Sequence, residues 1–180
     1  KWSCIMLFDS RTALLPTEYP QAEEYKQAIA NSHWRVSEWN FSSDAHDFKV
    51  RLEPSHRQVI KRALLAISQV EVAVKRFWAR LGDRVPKPEY DQVGCVFADS
   101  EVRHAEAYVH LLKVLGLEAE FDHMLSQPAM GKRVRHLTSC LANTVSQPHE
   151  EWAHSLAAFC MFVENVSLFA QFLIIKSFNT

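Results

Sequence analysis

Three apolar rows with helical spacing run through this sequence, and each carries a carboxylate near its middle. Residues spaced three and four apart lie on one face of an α-helix, so such an apolar row marks a face that packs into a core. Any fold that buries these faces therefore buries three acidic side chains as well. The members of the rows are Ile60, Leu64, Ile67, Glu71, Val74 and Trp78; Phe97, Glu101, His104, Tyr108, Leu111 and Leu115; and Ala157, Met161, Glu164, Leu168, Phe172 and Ile175.

The sequence predicts an all-α protein in which these rows belong to three long helices. Proline is favoured in the first turn of a helix and glycine just past the last turn. No segment alternates as a strand does, and helices of this length are typical of a bundle. The long helices are expected from Pro54 to about Arg80, from about Pro88 to Leu115 before Gly116, and from Pro148 to at least Phe178. The other expectations are an extended lead-in over 1–17, a short helix within 17–34, irregular structure over 35–53 and an interrupted helical region over about 118–146.

Composition favours a single helical domain over residues 1–180. Hydrophobic residues make up 48% and glycines number only 4, which suits a packed core and argues against a hairpin-rich β fold. The net charge of −1 without a basic stripe gives no support to nucleic-acid binding. The four cysteines form no C-x-x-C pair, as is typical of reduced thiols in the cytoplasm. The apolar stretch 155–175 is long enough for a membrane span, but Glu164 and Gln171 within it favour a bundle core.

Three buried carboxylates in one small core need a shared partner. An unpaired buried carboxylate costs several kcal/mol or takes up a proton. Buried arginine or lysine would serve, but the three rows contain neither. Metal ions can neutralise all three carboxylates at once, and carboxylates with one imidazole suit Fe, Mn or Zn. Glu101 and His104 lie one helical turn apart, so both can bind the same ion.

The acidic residues reproduce most of a di-metal carboxylate bundle. In that pattern two helices each give one Glu, and two others each give a Glu-x-x-His pair. The sequence supplies Glu71 and Glu164 as the single carboxylates and Glu101 with His104 as one pair. One pair is missing, and we expect it to lie beyond Thr180.

A second Glu-x-x-His motif, formed by Glu151 and His154, is interpreted as structural. At about 100° per residue, His154 lies roughly 80° from Glu164 around the helix, and Glu151 roughly 140° from it. Acidic residues just after Pro148 also suit a first turn, where the helix dipole favours negative charge.

Two aromatic residues accompany the predicted ligands. Tyr108 lies one turn beyond His104 on the same face, so its ring would lie beside the metals; a tyrosine that simply packs is the alternative. Trp34 precedes the first long helix, where aromatic residues usually just cover the core. Glu106 lies off the row of Glu101 and is interpreted as solvent-facing.

Four segments together resemble the small, radical-generating subunit of class I ribonucleotide reductase, a ferritin-like family. The resemblance runs over nearly the whole chain. The segments are "HWRVSEWNF" (33–41), "PSHRQVIKRALLAISQVEVAVKRFW" (54–78), "DSEVRHAEAYVHLLKVLG" (99–116) and "FVENVSLFAQF" (162–172).

The resemblance implies a ferritin-like helical bundle, a dinuclear Fe or Mn centre and a role for each matching residue. The implied metal ligands are Glu71, Glu101, His104 and Glu164. Tyr108 falls where many members hold a tyrosyl radical, and Trp34 matches a tryptophan that relays an electron to the protein surface. Glu at position 71 and the sequence of residues 33–41 resemble those of a manganese-using subgroup, in which this tyrosine is not oxidised.

The resemblance further implies a cytoplasmic homodimer that works with a large catalytic subunit. The centre would be oxidised by O2 or a reduced oxygen species, and the oxidising equivalent would start the reduction of ribonucleotides in the partner. Two other classes remain open at this stage. One is a ferritin-like oxidase or hydroxylase with its own substrate pocket, and the other is a metal-storage bundle that needs neither Tyr108 nor Trp34.

Overall fold

The computed structural model describes residues 7–141 and 147–178, and this part of the chain is helical. The predicted all-α class is confirmed, because no strand occurs among these residues. A 3-10 turn covers Val36–Glu38, and two segments, Asp47–Arg51 and Ala158–Ser167, are π-helical. The α-helices are α1 (Ala22–Asn31), α2 (Ser42–His46), α3 (Pro54–Ser68), α4 (Glu71–Ala79), α5 (Leu81–Arg84), α6 (Pro88–Leu115), α7 (Glu120–Ser126), α8 (Pro128–Leu141), α9 (His149–Ala157) and α10 (Leu168–Lys176).

The first predicted long helix is interrupted, which corrects the expectation of one helix from Pro54 to Arg80. A turn at Gln69 and Val70 separates α3 from α4. The Val70 N–H donates to the Ile67 carbonyl three residues back, so the last turn of α3 tightens. Glu71 consequently begins a new helix instead of lying in the middle of one.

Residues 35–53 are more ordered than predicted. They contain the 3-10 turn, α2 and the first π-helical turn, and Phe48 from this region is buried. Arg57 on α3 donates from Nη2 to the carbonyls of Lys49 and Leu52 at 2.9 and 3.1 Å. A guanidinium that satisfies the backbone carbonyls of a neighbouring irregular segment leaves no periodic signal in the sequence.

The region expected to be helical over 118–146 contains α7 and α8, with a break at Gln127 as predicted. Positions 142–146 lie outside the described residues.

The last long helix is continuous from His149 to Lys176 and has the π-helical segment Ala158–Ser167 in its middle. The predicted apolar row holds only in part here, because Met161 is 65% exposed and Phe159, which the row omits, is fully buried, whereas Ile175 packs against the core. The cause is the winding: a π-helix bonds residues five apart, so a face deduced from α-helical spacing drifts. By length and composition alone this helix could cross a membrane, and its outer apolar face is exposed in the structure.

The packing of α4 against α6 positions the site. α8 also lies against α4, and the π-helical segment lies against α8. One apolar cluster at the α3 end includes Leu64, Leu65 and Leu112, and a second at the other end consists of Val74, Phe77 and Phe159. Each such buried side chain contributes about 1.5–3 kcal/mol to folding. The carboxylates that begin α4 and occupy the middle of α6 therefore lie between two apolar clusters.

Gly116 ends α6 in the left-handed conformation, with φ of 75°. The N–H of Leu117 donates to the Leu112 carbonyl and that of Gly116 to the Lys113 carbonyl, which is a Schellman ending with Leu117 buried in the core.

We expect Gly116→Ala to lower the stability of the full-length protein by about 1–2 kcal/mol, the cost of an L residue in this conformation. A Cβ at this position meets nothing within 4 Å, so no steric term should add to it. Denaturant unfolding gives the value, and an unchanged midpoint would contradict the left-handed ending.

Candidate metal centre

Three side chains from two helices converge where α4 packs against α6. One ligand atom each from Glu71, Glu101 and His104 lies within 4.8 Å of the other two. Glu71 comes from the first turn of α4, and the other two come from consecutive turns of α6. Both carboxylates are only 9% exposed. The structure thus brings together three of the four predicted ligands within reach of one ion.

Glu101 and His104 are oriented by a direct hydrogen bond. His104 Nδ1 donates to Glu101 Oε2 at 2.9 Å. This bond and the charge of Glu101 raise the pKa of His104, and burial acts in the opposite direction. The bond fixes the imidazole against α6, as expected for neighbours one turn apart.

Glu164 joins the other three around one cavity of about 200 Å³. It comes from the π-helical segment, across the cavity from α4 and α6. Burial raises the pKa of Glu164 to about 7, and the charge of Glu101 adds to the effect while His104 opposes it. All four predicted ligands therefore line one cavity.

The electrostatics of the cavity are those of an uncompensated acidic site. Burial raises the pKa of Glu71 to about 8, and the charge of Glu101 is the next contribution. Glu71 Oε2 is buried without a hydrogen-bond partner among the described residues. A buried carboxylate oxygen without a donor is costly unless a cation meets it.

These residues fit a metal centre. Three carboxylates and one imidazole form the hard-to-borderline donor set that Fe and Mn prefer. Residues that could hold the ions are Glu71, Glu101, His104 and Glu164.

Tyr108 lines the same cavity as the four predicted ligands. Burial raises the pKa of its phenol, and the charges of Glu71 and Glu101 act in the same direction. The phenol therefore stays protonated at neutral pH. Tyr108 and Glu71 also line a second cleft, which opens between α4, α6 and α7.

Trp34 lies against His104. Their ring centroids are 6.0 Å apart and the planes are inclined by 22°, which is a stacked arrangement. Trp34 is half-buried, in the connection between α1 and the 3-10 turn. The indole thus contacts one of the predicted ligands.

Glu151 and His154 are both exposed on α9, in keeping with their interpretation as structural residues. Glu106 is exposed on α6 as well.

Two polar residues of the cavity were not predicted as part of the site. Gln171 is 8% exposed, and its Nε2 donates to the backbone oxygen of Ser167 at 2.8 Å. Arg133 on α8 donates from Nη2 to Ser167 Oγ at 3.1 Å. Gln171 has a signal in the sequence, since it is a carboxamide in an apolar helix. Arg133 has none, because its short helix shows no buried row.

The family model for the ribonucleotide reductase small chain matches residues 11–180. A probable ribonucleoside-diphosphate reductase small subunit, 048L of Invertebrate iridescent virus 3, is 25% identical over 189 residues, which cover 97% of this chain and 50% of the viral protein. Its counterpart 376L from Invertebrate iridescent virus 6 is 27% identical over 184 residues, covering 96% and 51%. The chain spans about half the length of these relatives. Because the family model covers nearly all of the sequence, the chain belongs to the ribonucleotide reductase small-chain family.

Proposed function

We propose that this chain carries the metal-binding part of a ribonucleoside-diphosphate reductase small subunit. In this role it generates and stores an oxidising equivalent that a large catalytic subunit uses to make deoxyribonucleotides. The observation that carries the proposal is the convergence of Glu71, Glu101 and His104 within 4.8 Å. Glu164 and Tyr108 line the same cavity. Family membership implies a dinuclear metal centre, and this donor set suits it.

Bound Fe or Mn would supply one-electron redox chemistry at this position. The carboxylates hold the negative charge that high oxidation states require, and apolar clusters flank the site at both ends. Glu71 and the segment 33–41 favour the manganese-using subgroup. Metal analysis of the isolated protein decides between Fe, Mn and a mixed pair.

Tyr108 is the residue assigned to hold a radical if the protein uses one. Its raised pKa disfavours a free phenolate, so the Oη proton and the electron leave together when the ring is oxidised. Carboxylates that line the same cavity offer an acceptor for that proton.

Trp34 is assigned to relay an electron between the centre and the protein surface. Its stacking on His104 gives direct contact between an oxidisable ring and a metal ligand. Such contact serves neither a storage bundle nor an oxidase with its own substrate pocket.

We further propose that residues 1–180 belong to one ferritin-like domain of a cytoplasmic homodimer, without nucleic-acid or membrane partners. Cys95 and Cys160 are free thiols, which suits a reducing compartment. Among the described residues one helix is long and apolar enough to cross a membrane, and Glu164 lies within it. Because the Glu164 carboxylate lines the shared cavity, we place this helix inside the protein and not in a membrane.

We expect Trp34→Phe in the full-length protein to retain its metals and to lose nucleotide reduction by more than about a hundredfold, or about 2.7 kcal/mol of barrier. Phenylalanine preserves the stacking and removes the oxidisable indole. The assay combines metal analysis with turnover in the presence of the large subunit, and Tyr25→Phe on α1 is the control.

Tyr108→Phe is the companion variant. Unchanged metal content with lost turnover assigns a tyrosyl radical, and retained turnover assigns the oxidising equivalent to the metals. A Trp34→Phe protein with full reductase activity would contradict the relay, and the storage alternative predicts no effect of either change.

A further inference from the structure

Trp39 continues the line of aromatic rings that begins at His104. Its ring centroid lies 6.4 Å from that of Trp34, and the two planes meet at 88° in an edge-to-face contact. Trp39 is 54% exposed, whereas Trp34 is half-buried. The rings of His104, Trp34 and Trp39 therefore form an unbroken series from a predicted metal ligand to the surface.

The backbone between the two tryptophans produces this contact. Arg35 is extended, the 3-10 turn Val36–Glu38 reverses the chain, and Trp39 is extended again. Within the turn the Glu38 N–H donates to the Arg35 carbonyl at 3.0 Å, and the Trp39 N–H donates to the Val36 carbonyl at 3.1 Å. The turn also lies against α6, which carries His104. The contact is therefore built by a hydrogen-bonded turn seated on the helix of the site.

The pair has a chemical feature that packing alone does not require. Indole is among the most readily oxidised side chains, and electron transfer between aromatic rings weakens steeply with the gap between their edges. Phe41, two residues further on, contacts His110 instead, with centroids 5.5 Å apart, and its ring is not oxidisable at comparable potentials. Of these two neighbouring aromatic residues, only Trp39 offers both redox chemistry and contact with Trp34.

We propose that Trp39 is the surface terminus of a two-tryptophan relay, which passes single electrons between an external one-electron donor and Trp34. The inference rests on the relay role of Trp34 in the proposed function. Trp34 gives one electron to the metal centre and is reduced again by Trp39. Trp39 in turn takes one electron from the external donor. No bond is made or broken, the donor is oxidised by one electron, and the centre is reduced by one.

The test measures reduction of the oxidised, full-length protein without the large subunit. Hexaammineruthenium(II), an outer-sphere one-electron donor, is mixed with the protein, and the loss of the oxidised centre is followed by stopped-flow absorbance and electron paramagnetic resonance. We expect Trp39→Phe to slow this reduction at least about tenfold, as Trp34→Phe does, and Trp39→Tyr to restore much of the rate.

A matched control is Tyr25 on α1, whose exposed fraction is the same 54%. It interacts with Tyr90 in the first turn of α6, far along the helix from His104. In the Tyr25→Phe variant the donor should reduce the oxidised centre at the same rate as in the unaltered protein. A rate that falls equally in Tyr25→Phe and Trp39→Phe would show a general surface effect and overturn the proposal.

The outcomes separate the two levels of the account. A slow Trp34→Phe with a normal Trp39→Phe overturns the terminus and leaves the proposed role of Trp34 intact. Normal rates in both variants overturn the relay itself. Circular dichroism of the metal-free protein gives an independent readout, because two indoles in contact produce a coupled pair of bands. We expect either substitution to remove the same pair, and its absence from the unaltered protein would overturn the contact.

Discussion

We expect Glu71→Gln to weaken metal binding by the full-length protein more than about a hundredfold, since even residues that only support ligands cost ten- to a hundredfold. Glutamine keeps the shape of the side chain but removes the negative charge and one anionic donor from a site whose ligand atoms lie within 4.8 Å of one another. Glu164→Gln should have the same effect, because its carboxylate lines the same cavity. Metal content after reconstitution with Fe or Mn is the measurement.

The matched control for this loss is Glu106→Gln, an exposed carboxylate on the same helix as Glu101. It should bind metal like the unaltered protein. Full metal content in both Glu71→Gln and Glu164→Gln would remove the basis for a carboxylate-bound centre at this cavity.

The second large effect concerns the stability of the metal-free protein, which we expect to fall as pH rises from about 5 to about 8. The pKa of Glu71 is raised from 4.5 in the unfolded chain to about 8 in the folded protein, and that of Glu164 from 4.5 to about 7. Below 4.5 both states are protonated and no difference arises. Above it the unfolded chain ionises first, so stability is lost until the folded carboxylates ionise too.

The size of this loss is of the order of a few kcal/mol, at about 1.4 kcal/mol per pKa unit. Thermal unfolding of the metal-free protein across this pH range measures it. Glu71→Gln should flatten the dependence and stabilise the metal-free protein at pH 8, whereas Glu106→Gln should not. Stability that rises with pH in the metal-free protein would contradict a cluster of buried, unneutralised carboxylates.

Sequence periodicity predicted the α4 and α6 faces of the site correctly. Glu71 and Glu101 are buried between apolar neighbours, as the three- and four-residue spacing requires. That spacing is a local property, so it survives even the break at Gln69 and Val70. The ferritin-like, all-α class followed from the same rows and from the resemblance, and the family match confirms it.

The third face was predicted only in part: Glu164, Leu168 and Phe172 of its row line the cavity, but Met161 is exposed. Winding over Ala158–Ser167 is π-helical, and Met161, which the row placed inward, is exposed, while Phe159, which the row omits, is fully buried. π-Helical segments often occur at functional sites, and here the segment carries Glu164 into the cavity. The π-helical winding depends on the tertiary contacts of Glu164 and Gln171 in the cavity, and such contacts leave no local pattern in the sequence.

The aromatic contacts also depend on tertiary packing that the sequence does not reveal. The resemblance suggested Trp34, but its stacking on His104 depends on how the segment before the 3-10 turn seats on α6. Trp39 and Arg133 gave no signal, because each acquires its neighbour through tertiary packing alone.

The most direct test is anomalous X-ray diffraction from crystals of the metal-loaded, full-length protein, with data at the Fe and Mn absorption edges. Two metal peaks are predicted in the cavity, and Glu71, Glu101, His104 and Glu164 should bind them at bonding distances. Anomalous peaks elsewhere in the protein, with these carboxylates instead bound by arginine or facing bulk water, would contradict the account.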